Sequence, residues 1–266
     1  MDFKKAFYTL TLLLAPMSAA VIYFHHMPVT DTPSENTSKQ VPMQTDEVEF
    51  KPAGPTPPAS QIDKPTTASA GRDENGLTKE DALEFSEWQY KHGYQRLDEQ
   101  GDLVLSDYEE YPEAALIKLA AQGDPEAMIL LARKNLYQHR NYAAAEQYFA
   151  DASIHGYTNS LAELANLKFL HTRRYLGEDN LEQAVAQAEE GFAWLEVGLM
   201  RGDKIIQLSK STYESQYPQD KAARDRIDAR AKAIYEQLNQ QRIQYGLGEF
   251  DNSYPKAMDA LFNQKN

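Results

Sequence analysis

The sequence predicts an all-α fold: a short superhelical array of antiparallel helical hairpins with a long C-terminal capping helix, preceded by a disordered linker and an N-terminal membrane helix. Three observations predict it. The punctuation Ala121-Gln122-Gly123-Asp124-Pro125-Glu126-Ala127, running into Leu131-Ala132, recurs 33 residues later as Ile154-His155-Gly156-Tyr157-Thr158-Asn159-Ser160, running into Leu164-Ala165. A period in the low thirties fits units of two helices that cannot bury their apolar faces alone and must stack on neighbours. The composition changes sharply near residue 76, from Pro-rich to helix-forming. Beyond that point apolar residues recur at helical spacing between Asp, Asn or Thr caps and Gly stops.

Residues 1–27 read as a membrane anchor. Lys4 and Lys5 precede Ala6 to Phe24, 19 residues without a charge, and a helix of that length spans ~28 Å, close to the hydrocarbon thickness of a bilayer. A cleaved signal peptide is the competing reading, because Ser18-Ala19-Ala20 supplies small residues after an apolar run. The continuation Val21-Ile22-Tyr23-Phe24 favours the anchor, with His25-His26 as an interfacial pair. The next basic residue after the span is Lys39, so the N-terminus is expected in the cytoplasm and the rest facing the periplasm or the exterior. Residues 28–76 read as a disordered spacer: eight of the 13 prolines fall between Pro28 and Pro65, the densest run being Pro55-Thr56-Pro57-Pro58. As a partly extended coil it would separate its ends by roughly 40 Å or more. Pro52-Ala53-Gly54-Pro55 also matches a PxxP ligand, a pattern common by chance in such tracts.

Residues 77–266 carry the helical body. Thr78 caps a first helix with Ala82, Phe85, Trp88 and Tyr90 inward, stopping at Gly93. Pro112 opens a helix over Glu113 to Ala121, with Ala114, Leu116, Ile117 and Leu119 apolar, and Gly123 ends it. Asp124 caps the next, lined by Met128, Leu130, Leu131 and Leu136, and its partner starts at Asn141-Tyr142 and carries Ala145, Tyr148, Phe149 and Ala152 to Gly156. Thr158 or Asn159 caps a helix with Leu161, Leu164, Leu167 and Phe169; Asn180 caps one with Ala184, Ala188, Phe192, Leu195 and Leu199, ending at Gly202. The step from Gly156 to Gly202 exceeds the preceding one by 13 residues, so an insert around His171 to Asn180 lengthens a loop or a helix. Asp203 caps Ile205-Ile206-Leu208. Gln219 to Tyr245 reads as one long helix with Ala222, Ile227, Ala231, Ile234, Leu238 and Ile243 inward, and Pro255 to Phe262 as a short terminal helix.

The net charge of −13 and pI near 4.9 argue against a duplex nucleic-acid partner, which needs clustered Lys and Arg. With no Cys, thiolate catalysis, disulfides and Cys-based metal sites are excluded. His139, His155 and His171 are spaced by 16 residues, but no pair sits at i and i+4 on one helix, so no metal is expected. Glu109-Glu110 and Glu189-Glu190 are adjacent rather than facing, no Gly-x-Ser-x-Gly occurs, and Gly246-Leu247-Gly248 follows a helix instead of opening one. No catalytic residue and no cofactor is therefore expected.

The pattern Ala-x-Gly-Asp-x-x-Ala-x-x-x-Leu-Ala at Ala121 to Ala132, with the helix Tyr142 to Ala152 and its closing Gly156, resembles the Sel1-like branch of tetratricopeptide-type repeats over roughly residues 107 to 210. The second unit departs at Ser160 and Tyr157, and the third carries Ile206 where the pattern has Ala. The resemblance implies an adaptor in a bacterial envelope, secretion or signalling complex. Arg133, Lys134, Glu163 and Asn166 occupy polar positions of the first helix of a hairpin, which faces the concave side in such arrays. Tyr137 and Tyr157 lie near helix ends, and tyrosine is enriched at recognition surfaces. These six form the candidate groove for a protein or peptide partner. The alternatives are a cell-envelope hydrolase acting on cell-wall material and a non-binding structural spacer.

Overall fold

A computed structural model of the chain describes residues 77–97, 103–104 and 106–262, all within the compact unit Gly71–Asn266. The apolar run 6–24 and the Pro-rich stretch 28–76 lie outside the described residues. Among those described the architecture is all-helical, with packed helices: α1 Lys79–Lys91, α2 Glu113–Ala121, α3 Pro125–Tyr137, α4 Tyr142–Ile154, α5 Asn159–Gly177, α6 Leu181–Met200, α7 Ile206–Gln216, α8 Lys221–Gln244 and α9 Lys256–Phe262. Between α1 and α2 lie a single 3-10 turn, Asp107–Glu110, and two short strands that the helical periodicity does not announce. These are β1 (Arg96–Leu97) and β2 (Leu103–Val104), antiparallel, with Arg96 opposite Val104 and Leu97 opposite Leu103.

Each helix begins where local chemistry places it. Thr78 accepts from the Asp81 amide at 3.1 Å while the Asp81 carboxylate accepts from the Thr78 amide at 2.7 Å, a closed capping box. Asn141, Asn180 and Asp220 cap α4, α6 and α8 through their side-chain oxygens. The repeated punctuation closes helices in one way at all three sites. The amide after the glycine reaches back to the preceding helix, Asp124 to Leu119, Tyr157 to Ala152 and Asp203 to Gly198, each within 3.0–3.1 Å. Gly202 shows why glycine stands there: its φ is +79°, and a Cβ would overlap the Asn252 carbonyl oxygen.

From α2 to α7 consecutive helices pack on one another, most extensively α5 with α6 and α3 with α4; α8 lies along α6 with a smaller contact to α4, and α9 meets α1. The longer step from Gly156 to Gly202 is absorbed by helix, not loop. α5 and α6 run to 19 and 20 residues, against 13 each for α3 and α4. His171 thereby falls inside α5 rather than near its end, edge-on to Tyr142 at 5.6 Å. The core runs through Leu116, Leu131, Phe149, Leu161, Leu164, Phe169, Phe192 and Leu195, all fully buried. In α8 the buried edge is Ala223, Ile227, Ala231, Ile234 and Leu238, and two guanidinium–carboxylate forks, Arg226 to Glu189 and Arg230 to Glu190, tie it to α6 from the solvent side.

Several inward assignments are corrected. Ala82, Tyr90, Ile117, Ala222 and Ile243 are exposed, because these helices bury a narrower stripe than their apolar residues could supply. Thr158 does not cap α5 with its side chain; its hydroxyl is used elsewhere.

Candidate functional site

Four of the six predicted groove residues converge. Arg133 and Tyr137 are one turn apart on α3, and Glu163 and Asn166 are three residues apart on α5. The Asn166 amide donates to Glu163 at 3.4 Å, and the Asn166 carbonyl oxygen accepts from the Tyr213 hydroxyl on α7 at 2.9 Å. Burial, then the Glu163 carboxylate, push the Tyr137 hydroxyl up to about 12, with the Arg133 guanidinium pulling the other way. Tyr213 is likewise pushed up to about 12, first by burial, with Arg173 opposing and Glu163 adding to it. The Glu163 carboxylate therefore acts on hydroxyls of both α3 and α7. Tyr137 keeps 53 % of its surface exposed, whereas Tyr213 is buried.

The floor of this face is an aromatic stack. Phe169 lies 3.6 Å from Tyr213 in near-parallel geometry, meets Phe192 edge-on at 5.1 Å, and faces Tyr217 at 5.7 Å. Gly191 on α6 leaves room for the Phe169 ring, which a Cβ there would meet at 3.0–3.2 Å. Arg173 lies within hydrogen-bonding reach of the Tyr213 and Tyr217 hydroxyls.

Lys134 and Tyr157 do not join this group. Lys134 is half-buried one position around α3, a rotation of about 100° from Arg133. Tyr157 lies against Gly93, with its hydroxyl raised by burial and then by Glu126, Tyr90 and Asp124. Its place in the α4–α5 connection turns it toward α1. Sequence reasoning missed Arg173, Tyr213 and Tyr217, and no spacing could have found them, since α7 reaches α5 only through the folding of α6 between them.

A second polar cluster also escaped the sequence. Asp203, fully buried, accepts the Tyr94 hydroxyl at 2.7 Å and the Thr158 hydroxyl at 2.6 Å on Oδ2, and the Ile205 amide at 3.1 Å on Oδ1. It thereby ties the segment after α1 and the α4–α5 turn to the α6–α7 turn. Asp124 repeats the arrangement with Tyr108 on Oδ2 at 2.7 Å and the Glu126 and Ala127 amides on Oδ1. The recurring Gly-Asp was the legible signal; the tyrosines were not.

Beside this node Arg201, 2 % exposed, lays its guanidinium over the Phe250 ring at 3.4 Å, with Arg242 5.3 Å from the same ring. Both also reach carbonyls at the end of α4, Arg201 toward Ser153 at 3.5 Å and Arg242 to Ile154 at 2.7 Å, at the negative end of that helix. His92 stacks on Trp88 at 3.8 Å and its Nδ1 lies 2.7 Å from the Trp88 carbonyl oxygen.

Burial raises the Asp203 carboxyl to about 6 and lowers the His92 imidazole to about 4. The two act on stability with opposite signs. The Asp203 contribution is full below the ordinary carboxyl value and is lost as pH rises through about 6; the His92 contribution is full above the ordinary imidazole value of 6.5 and is lost as pH falls through about 4. Between these limits they offset. In Asp203→Asn the His92 contribution is unopposed, so stability relative to wild type falls by about 3 kcal/mol on going from neutral pH to pH about 4. Urea unfolding of both proteins across that range checks this; parallel pH profiles would refute it.

Among the described residues no cluster of His, Asp and Glu has the makings of a metal site, and no helix is long and apolar enough to cross a membrane. Compared with protein-family models, curated proteins and solved structures, the chain matches none.

Proposed function

We propose that the chain is a membrane-tethered, periplasm-facing interaction scaffold. Its helical body is a short superhelical array of Sel1-like hairpins, and it takes a protein or peptide segment on the concave face made by α3, α5 and α7. The N-terminal apolar run serves as the tether and the Pro-rich stretch as the spacer, and the body works by binding rather than by catalysis. The observation that carries this reading is the convergence of Arg133, Tyr137, Glu163, Asn166 and Tyr213, from three helices, above one aromatic stack. Side chains on successive helices of stacked repeats present a continuous binding surface without moving the backbone. Exposed tyrosine contributes contact area and a hydroxyl at low entropic cost.

The test is in-cell crosslinking and mass spectrometry on the full-length tagged protein, compared with Arg133→Ala/Tyr137→Ala. Tyr137 is exposed and Arg133 half-buried outside the core stripe of α3, so the helix content of the variant stays that of wild type by circular dichroism. A specific partner falls at least about tenfold in the variant, the order expected for losing one charge-assisted bond and an aromatic contact. An unchanged partner list would remove binding from this face, and no partner in either protein would end the scaffold reading.

A further inference from the structure

We propose that the α3–α5–α7 face recognises an acidic peptide segment, one carrying closely spaced carboxylates; this rests on the scaffold reading and adds the chemistry of the partner. The argument begins with how the chain treats its half-buried cations. Partial burial strips water from a charge, and within one chain the loss is ordinarily offset by an opposite charge. Lys168 has Glu146, Lys204 has Asp259, and Lys210 has Glu196 with Glu214 beside it. Arg201 and Arg242 have the Phe250 ring and the carbonyls ending α4.

Arg133 and Arg173 are different. Both are half-buried, and among the described residues neither makes an ion pair with a carboxylate; half-buried Lys134 shares that state but lies about 100° around α3 from Arg133. Arg133 stands one helical turn from Tyr137, and Arg173 within hydrogen-bonding reach of the Tyr213 and Tyr217 hydroxyls, neutral groups that leave each guanidinium its charge. Glu163, whose charge acts on both Tyr137 and Tyr213, accepts from the Asn166 amide at 3.4 Å and keeps that charge. In a chain of net charge −13, two guanidiniums set beside tyrosines, against the single carboxylate of Glu163, are complementary to carboxylates arriving from outside. A guanidinium fork takes a carboxylate through two parallel N–H···O bonds, which fixes orientation as well as affinity.

The experiment is fluorescence anisotropy of the full-length chain with a labelled hexaglutamate peptide, with hexalysine and a polyproline peptide of equal length as comparators. The expected result is saturable binding of hexaglutamate alone, weakening as salt rises. It falls by about tenfold or more in Arg133→Ala/Arg173→Gln, the order for losing charge-assisted bonds, and is unchanged in Arg224→Ala, an exposed cation of α8. No binding of hexaglutamate, equal binding of the comparators, or an undiminished double variant would overturn the proposal. So would binding of heparin that hexaglutamate does not displace, which would assign the face to polyanions. A photo-crosslinking residue at position 137 separates the two readings. A specific partner captured there while hexaglutamate fails leaves the scaffold standing and removes only the acidic chemistry; capture of none, with no peptide bound, removes both.

Discussion

Replacing Asp203 by Ala lowers the unfolding free energy of the helical body by about 4 kcal/mol, the sum expected when several buried donors lose their acceptor together. The Tyr94 and Thr158 hydroxyls and the Ile205 amide then lose the oxygens that accept from them. The three groups belong to segments far apart in sequence, 109 and 45 residues from Asp203 for the tyrosine and the threonine, so the loss is cooperative and not confined to one turn. Asp203→Asn keeps one oxygen for the Ile205 amide and presents an NH2 to the Tyr94 and Thr158 hydroxyls, which can turn to accept from it, and it removes a buried negative charge, so its effect near neutral pH is less than half as large. Urea unfolding followed by far-ultraviolet circular dichroism checks both variants. An alanine variant within about 1 kcal/mol of wild type would show that the node contributes no more than an ordinary exposed bond. Thr158→Val and Tyr94→Phe each remove one donor while leaving the carboxylate accepting from the rest, and a double-mutant cycle between them measures how far the node acts as a unit.

Phe169→Ala destabilises by a similar amount, about 4 kcal/mol, through a different mechanism. Its ring is fully buried and touches elements on three sides: Phe192 and Gly191 on α6, Tyr213 on α7, and Tyr217 just beyond it. Truncation leaves a cavity that helices cannot readily close, because each is held on its other faces by separate contacts. The consequence extends to the binding face, since Tyr213 rests on this ring and directs its hydroxyl to Asn166. Phe169→Leu retains most of the volume and loses the stack, so it separates packing from ring orientation. The leucine variant recovers at least half of the stability but not the fixed position of Tyr213. Denaturant unfolding, read beside near-ultraviolet circular dichroism of the tyrosines, distinguishes these effects. Equal stability of the alanine variant and wild type would mean that the stack does not support the core.

The two positions differ in how far they could be read in advance. Phe169 falls on the helical period with Leu161 and Leu164, and its burial follows from spacing alone. Asp203 follows a glycine at the start of a helix, so its role as a local acceptor was also legible. That Tyr94 and Thr158 would complete it was not, because no local rule links residues so distant in the chain. The candidate face shows the same division. Polar positions on the first helix of each hairpin pick out Arg133, Glu163 and Asn166, whereas Arg173, Tyr213 and Tyr217 enter only because the lengthened α5 and α6 bring α7 alongside. Lys134 and Tyr157 mark the opposite error. Proximity to a helix end placed Tyr157 in the groove, and the contact of its ring with Gly93 turns it away.

What the sequence by itself determined is the set of helices, their caps and their stops, because capping boxes, Asx caps and left-handed glycines are local chemistry that acts within a few residues. Helical periodicity likewise determined most of the core. The tertiary structure alone decided which helix edges are covered, how an insert of 13 residues is divided between α5 and α6, and which distant hydroxyls and rings meet at Asp203, Phe250 and Phe169. The physical reason is range: capping and periodicity are settled by neighbours along the chain, whereas burial and buried hydrogen bonding depend on surfaces that exist only once the helices have packed.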